Sequence, residues 1–261
     1  MEAPLERAGA LATWAGLNCS VLFCDIAGFG DPSRDDDDRQ VVRDVTYTVL
    51  LQALDASGVP PSDLYREDRG DGALVIVSPR VPTASLVDPL AGHLALALRR
   101  HNHRASAAVR VQLRVALHVG PVAPDAEGVN GQVIIQTARL LEAPVLKTAL
   151  AETGADLGFI VSPFVYDAFV SHLKGPLDPR AFERVTLTVK ETTTEAWMYL
   201  TGTNSPAARS PHPPPRRHHR LQQRRPREGR PGPRQQNHPQ ALGAASLEKT
   251  DDLLRRTRRH R

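Results

Sequence analysis

Ser20-Val21-Leu22-Phe23-Cys24 runs into Asp25-Ile26-Ala27-Gly28-Phe29, an apolar stretch that stops at a carboxylate and a glycine-containing loop. Its length and β-forming composition predict a buried strand ending at Asp25. Downstream, Val41, Val42, Val45, Val49 and Leu50 recur at helical spacing, so residues 39–56 read as a helix. Leu64–Glu67 and Ala73–Val77 are β-rich and flank Asp68-Arg69-Gly70-Asp71-Gly72, whose Asp-Gly signals a hairpin. A second helix is expected over 86–103. Val109, Val111, Leu113, Val115, Leu117 and Val119 then alternate strictly, which predicts a half-buried strand. Gly131 to Leu141 reads as a helix stopped near Pro144. Phe159–Val161 is a short strand before a helix over 163–173, and 185–189 with 196–200 form a closing hairpin. The order is β-α-β-β-α-β with additions. The expected fold is α+β: a ferredoxin-like βαββαβ core, helices on one face of an antiparallel-centred sheet, with extra C-terminal strands and helices.

The net charge of +4 averages two unlike parts. From Ser205 onward, fourteen Arg and one Lys face four acidic residues, a net +11; the preceding 204 residues carry −7. Residues 1–18 read as an N-terminal flank and 19–203 as the folded domain. Residues 204–261 read as a disordered basic Pro/Arg-rich tail, because so few aliphatics cannot offset the entropy of ordering; a short helix near Leu253 is the one exception. The acidic balance of the domain argues against nucleic acid as a partner except through the tail. No secretory leader and no membrane-spanning apolar run is present, and Cys19 and Cys24, five apart on one strand, are poorly placed to bridge. A cytoplasmic protein with reduced thiols is expected.

Two carboxylates carry the candidate chemistry. In a β-α-β-β layout the end of the first strand lies beside the hairpin of the second and third, which brings Asp25 next to Asp71. Two converging carboxylates suit Mg²⁺ together with substrate phosphates. Each alone is also ordinary turn chemistry. Asp35–Asp38 fit a helix N-terminal flank, His101 and His103 a helix C-terminus, and His118 a packed strand position.

Val21 to Phe29, Gly70-Asp71 before an apolar strand, Leu113-Arg114-Val115-Ala116-Leu117-His118-Val119-Gly120-Pro121, the helix from Gly131 to Arg139, and the strands ending at Lys190 and Leu200 together resemble the catalytic domain of class III adenylate and guanylate cyclases. The resemblance spans about residues 19–201. It implies that Asp25 and Asp71, with the backbone carbonyl of Ile26, hold two Mg²⁺ or Mn²⁺ ions. It further implies that Arg139 neutralises charge growing on the α-phosphate, that Glu67 reads the base as guanine, and that Lys190 contacts the triphosphate. The implied reaction converts a nucleoside triphosphate, GTP by Glu67, to a 3′,5′-cyclic nucleotide and pyrophosphate. The implied assembly is a head-to-tail homodimer, in which Asp25 of one copy meets Arg139 of the other.

This chain departs from the family pattern at two places. Ile135 stands where an asparagine orients the ribose, and Gly128 where a second base-reading side chain sits. Isoleucine neither donates nor accepts a hydrogen bond, so positioning of the 3′-hydroxyl is impaired. These departures support the alternative of a catalytically degenerate regulatory module that binds nucleotide or a protein partner without turnover.

Overall fold

The computed structural model describes residues 11–126, 128–190 and 192–201. The expected basic tail from 204 and the helix near Leu253 lie outside these residues. Nine strands and five α-helices carry labels here: β1 (Asn18–Ile26), α1 (Asp36–Ala56), β2 (Leu64–Asp68), β3 (Gly72–Val77), α2 (Leu90–Asn102), β4 (Leu113–Pro121), β5 (Ala123–Asp125), β6 (Gly128–Asn130), α3 (Gln132–Leu141), α4 (Pro144–Thr153), β7 (Leu157–Val161), α5 (Pro163–Ala168), β8 (Glu183–Val189) and β9 (Thr192–Thr201).

Seven strands form one sheet in the order β2-β3-β1-β4-β7-β9-β8, and β5 and β6 form a separate ribbon. The β2-β3-β1-β4 part, with α1 and α2 as crossovers, is the ferredoxin-like core. Its pairs are antiparallel, as are β7–β9 and β8–β9, whereas β4–β7 is parallel.

Strand parity explains the layers. Leu22, Cys24 and Ile26 of β1 share a core with Val42 and Leu50 of α1 and Leu90, Leu94 and Leu98 of α2. Cys19 and Val21, of opposite parity, pack with Leu74, Ile76 and Val133. On that second face Ala116 and Ile160 meet Leu140 of α3 and Leu146 of α4. The expectation of helices on one face is therefore corrected: α1 and α2 cover one side, α3 and α4 the other. For the same reason β4 is not half-buried along its length, since Val115, Ala116 and Leu117 are all buried.

The helix expected over 131–141 does stop short of Pro144, but Pro144 also begins another helix that was not expected. α3 stops at Leu141, and Pro144 occupies the first turn of α4, where its missing N–H is no loss. Gly154 closes α4 in a left-handed conformation with φ 62°. The helix expected over 163–173 is shorter: α5 ends at Ala168 and a 3₁₀ turn covers Val170–His172. Tyr166 of α5 stacks on Trp197 of β9 at 3.6 Å between centroids, which ties this segment to the sheet. The described part of the N-terminal flank is not peripheral, because Leu11 and Trp14 are buried with Val21 and Ile76. No helix among the described residues is long and apolar enough to cross a membrane.

Asp35 caps α1 by accepting from the backbone N–H of Asp38, whose own side chain accepts from Asp35 N. The run Asp35–Asp38 is thus helix-start chemistry, with three carboxylates placed against the positive end of the helix dipole.

Candidate functional site

β1 delivers Asp25 to the edge of the hairpin. Asp25 pairs with Gly72 of β3 on one side and with Arg114 of β4 on the other. The backbone N–H of Ile26 donates to the Asp71 carbonyl at 2.9 Å, so the hairpin tip is bonded directly to the end of β1. The close approach requires glycine at 72, since a Cβ there would lie 1.9 Å from the Cys24 carbonyl oxygen.

The tip itself is organised by Asp68, which local sequence marks only as a turn residue. It accepts from Gly70 N at 2.8 Å and from Arg43 Nη2 at 2.7 Å, and the Tyr47 hydroxyl lies 2.8 Å away. The Arg43 guanidinium, aided by the Gly70 N–H, holds the Asp68 carboxyl well below the usual carboxylate range. The stabilisation this lends is present above the ordinary carboxyl pKa and is lost as pH falls through the lowered one. Asp68 is more than half exposed, so Arg43→Ala is expected to cost only about 1 kcal/mol near neutrality. Urea unfolding at pH 7 and pH 3 checks this, with the smaller difference at pH 3.

The carboxylate expected to hold metal is engaged by an arginine. Arg114 donates through Nε and Nη2 to the two oxygens of Asp25, at 2.7 and 2.9 Å. Both side chains are largely buried, 11% and 18% exposed. Burial pushes the Asp25 carboxyl up to about 6, against the pull of Arg114 and Lys147; the Asp71 charge pushes in the same direction as burial, which places the two carboxylates within electrostatic reach.

A raised carboxyl stabilises the fold most when protonated, fully so below the unfolded pKa, and that contribution is lost as pH rises through about 6. The wild type is therefore expected to lose roughly 2–3 kcal/mol relative to Asp25→Asn between about pH 4 and 6.5. Parallel denaturation curves for the two proteins across that range would contradict the assignment.

The other expected site residues divide into two groups. Ile26 stays beside Asp71, but its carbonyl accepts from Phe29 N at 3.3 Å. Glu67 of β2 receives the Tyr65 hydroxyl at 2.6 Å and pairs with Arg69. Gly128 of β6 comes back against it: a Cβ there would lie 2.8 Å from Glu67 Oε1, and φ is +138°. Arg139 lies elsewhere, lining a cavity of about 90 Å³ with His118, Gln136, Ser162 and Leu187. Ile135, one turn earlier on α3, is 47% exposed. Lys190 is exposed in the β8–β9 turn at φ 52°.

His118 is structural. Its Nδ1 lies 2.8 Å from Ser162 Oγ and its Nε2 2.8 Å from Gln136 Oε1. An amide oxygen accepts only, so Nε2 carries the proton and Nδ1 accepts the serine hydroxyl. Burial pushes the imidazole pKa down, consistent with a neutral ring joining β4, α3 and the start of α5.

A divalent ion at Asp25 would have to displace the Arg114 guanidinium. Both Asp25 oxygens are held by Arg114 and the Ile26 carbonyl by Phe29. Among the described residues no group of three or more metal-ligating side chains converges. Arg114 was not legible as a partner because its place in the alternation gave it the solvent-facing parity of a half-buried strand.

No protein-family model matches the chain, and no curated protein matches it. Solved structures do resemble it. An adenylate/guanylate cyclase/hydrolase from Silicibacter pomeroyi superposes with a TM-score of 0.51 at 19% identity, covering 70% of this chain and 96% of that one. The guanylyl cyclase Cya2 gives 0.49 at 17% identity over 73% and 95%. The guanylate cyclase domain of RhGC from Catenaria anguillulae, in complex with GTP, gives 0.45 at 17% over 71% and 97%. The first of these likenesses carries the fold.

Proposed function

From the premise that this chain has the fold of class III nucleotidyl cyclase catalytic domains, we propose that it is a cyclase-fold regulatory module that binds a nucleoside triphosphate and turns it over weakly or not at all. One observation carries this reading: the Arg114 fork on Asp25 neutralises the carboxylate on which metal-assisted cyclisation depends. Ile135 supports it, since an exposed isoleucine offers nothing to a ribose hydroxyl. So does Gly128, which offers no side chain to read a base and whose φ of +138° disfavours one.

A second reading keeps turnover, giving a 3′,5′-cyclic nucleotide and pyrophosphate with Mg²⁺ or Mn²⁺ at Asp25 and Asp71. The bond between Ile26 N and Asp71 O favours it, because the two acidic segments are joined at one sheet edge. In both readings two copies pair head to tail. The separate location of Arg139, in a cavity that Asp25 and Asp71 do not line, suits a site completed by a second chain. Glu67 and Lys190 then serve the base and the triphosphate.

The deciding experiment incubates the full chain with each nucleoside triphosphate and Mg²⁺ or Mn²⁺, following cyclic product, pyrophosphate and binding. Binding without product is expected. Sustained product formation that disappears in Asp71→Ala would establish the second reading instead.

A further inference from the structure

No aspartate or glutamate occurs from Pro89 to Pro124, a span that carries five arginines, in a domain whose balance is otherwise acidic. Two of the five are committed: Arg110 lies 3.6 Å from Asp156, and Arg114 forks onto Asp25. The other three, Arg99, Arg100 and Arg104, line a groove of about 410 Å³ at the C-terminal end of α2, together with His103. All four side chains belong to exposed residues. None of these three arginines has a hydrogen bond or ion pair among the described residues, whereas every other described arginine is engaged by another group.

The helix dipole favours a cation in the last turn, which accounts for one or two basic side chains but not for their convergence on one groove. Guanidinium groups gathered in this way repel one another until an anion lies between them. Leu96, 49% exposed, sits on the same face, because 96, 99, 100 and 103 follow the i, i+3, i+4, i+7 spacing of a single helical stripe. The stripe is therefore apolar at one end and cationic at the other.

The surroundings limit the size of the anion. Arg34, just ahead of α1, donates to the carbonyls of Ala108 and Arg110, so the loop after α2 abuts the start of α1. Asp36 and Asp37 stand exposed there. A long polyanion, whether a duplex or an anionic bilayer, would be carried onto those carboxylates; a short segment would not.

We propose that this groove docks an acidic peptide segment of a partner protein, with its carboxylates on Arg99, Arg100 and Arg104 and an apolar side chain on Leu96. A guanidinium takes a carboxylate through two parallel N–H bonds, and arginine clusters are a recurrent means of reading acidic motifs. The site uses none of Asp25, Asp71 and Arg139, so it stands whether or not the chain binds nucleotide.

Fluorescence anisotropy of the full chain tests this, with a short fluorescein-labelled peptide of glutamates around a single leucine. The basic residues after Ser205 also attract acid, so the comparison rests on variants that leave them unchanged. Arg99→Glu with Arg100→Glu is expected to weaken binding about tenfold or more, Arg99→Gln with Arg100→Gln by less, and Leu96→Ser severalfold. Wild-type affinity should fall as NaCl rises. The substituted side chains are exposed, so all variants are expected to melt with the wild type. Equal affinity in the wild type and the double-glutamate variant assigns the binding to the sequence after Ser205 and overturns the inference. Equal binding of a peptide with glutamine in place of glutamate also overturns it, as does the absence of peptide binding. Short duplex DNA or phosphatidylserine vesicles binding more tightly than the peptide, with the same loss in the arginine variants, overturns it in favour of an extended polyanion.

Discussion

Gly72→Ala is expected to destabilise the domain by about 3–4 kcal/mol, far beyond what a methyl group costs in an exposed strand. A Cβ at this position would meet the Cys24 carbonyl oxygen at 1.9 Å and the Asp25 Cα at 2.8 Å. Both are backbone atoms of the paired strand, so no side-chain rotation can relieve the overlap. β3 must move away from β1 at the point where Gly72 faces Asp25. The bond from Ile26 N to Asp71 O goes with it, as does the contact of the Tyr47 hydroxyl with the Gly72 carbonyl at 2.7 Å. Denaturant unfolding measures the loss, and hydrogen exchange at the Ile26 amide localises it. An alanine variant with wild-type stability and a protected Ile26 amide would mean that the register of β1 against β3 is wrong.

The second large effect is expected from Arg114→Ala. Removing one partner of a buried ion pair leaves the other charged and unpaired, at a cost of about 3–5 kcal/mol. The cost should shrink as pH falls toward about 6 and be smallest below it, where Asp25 is protonated even beside the guanidinium and no longer needs a cation. The variant also frees both Asp25 oxygens next to Asp71. Millimolar Mn²⁺ is therefore expected to raise the melting temperature of Arg114→Ala by several degrees and to leave the wild type nearly unmoved. Equal stabilisation of both proteins would show that the guanidinium does not keep metal from the carboxylate. Arg114→Met with Asp25→Leu serves as the stability control, because replacing both partners by apolar groups removes the unpaired charge.

The parts of this architecture that local chemistry governs were readable from residue order. The buried strand before Asp25, the Asp-Gly hairpin and the helix over 39–56 each announce themselves within a few residues, and all three stand in the structure. Pro144 marked the end of one helix and hid the start of the next, because proline can stop a helix and is also favoured in a helix's first turn. With α4 unforeseen, Lys147 and the whole second layer over Gly158 went with it, since Leu146 and Leu150 cover that glycine. The return of β6 onto Glu67 joins positions about sixty residues apart, which no local pattern encodes. Arg114 illustrates the deeper difficulty. An alternating strand assigns its polar residues to water only when the facing layer is absent, and here the facing layer was the missed helix.

The opposite faces on which β1 presents Cys19 and Cys24 have a practical consequence. Burial pushes the two thiols up to about 11 and about 12, so neither is a thiolate at neutral pH while the strand is in place. A maleimide or iodoacetamide trap therefore becomes a two-channel recorder of breathing. Modification at Cys24 times the parting of α1 and α2 from the sheet, and modification at Cys19 times the parting of the layer beneath Val133. A ligand seated beside Asp25 would slow one clock, the other, or both, and mass spectrometry of the tagged peptides would say which half of the molecule it steadies.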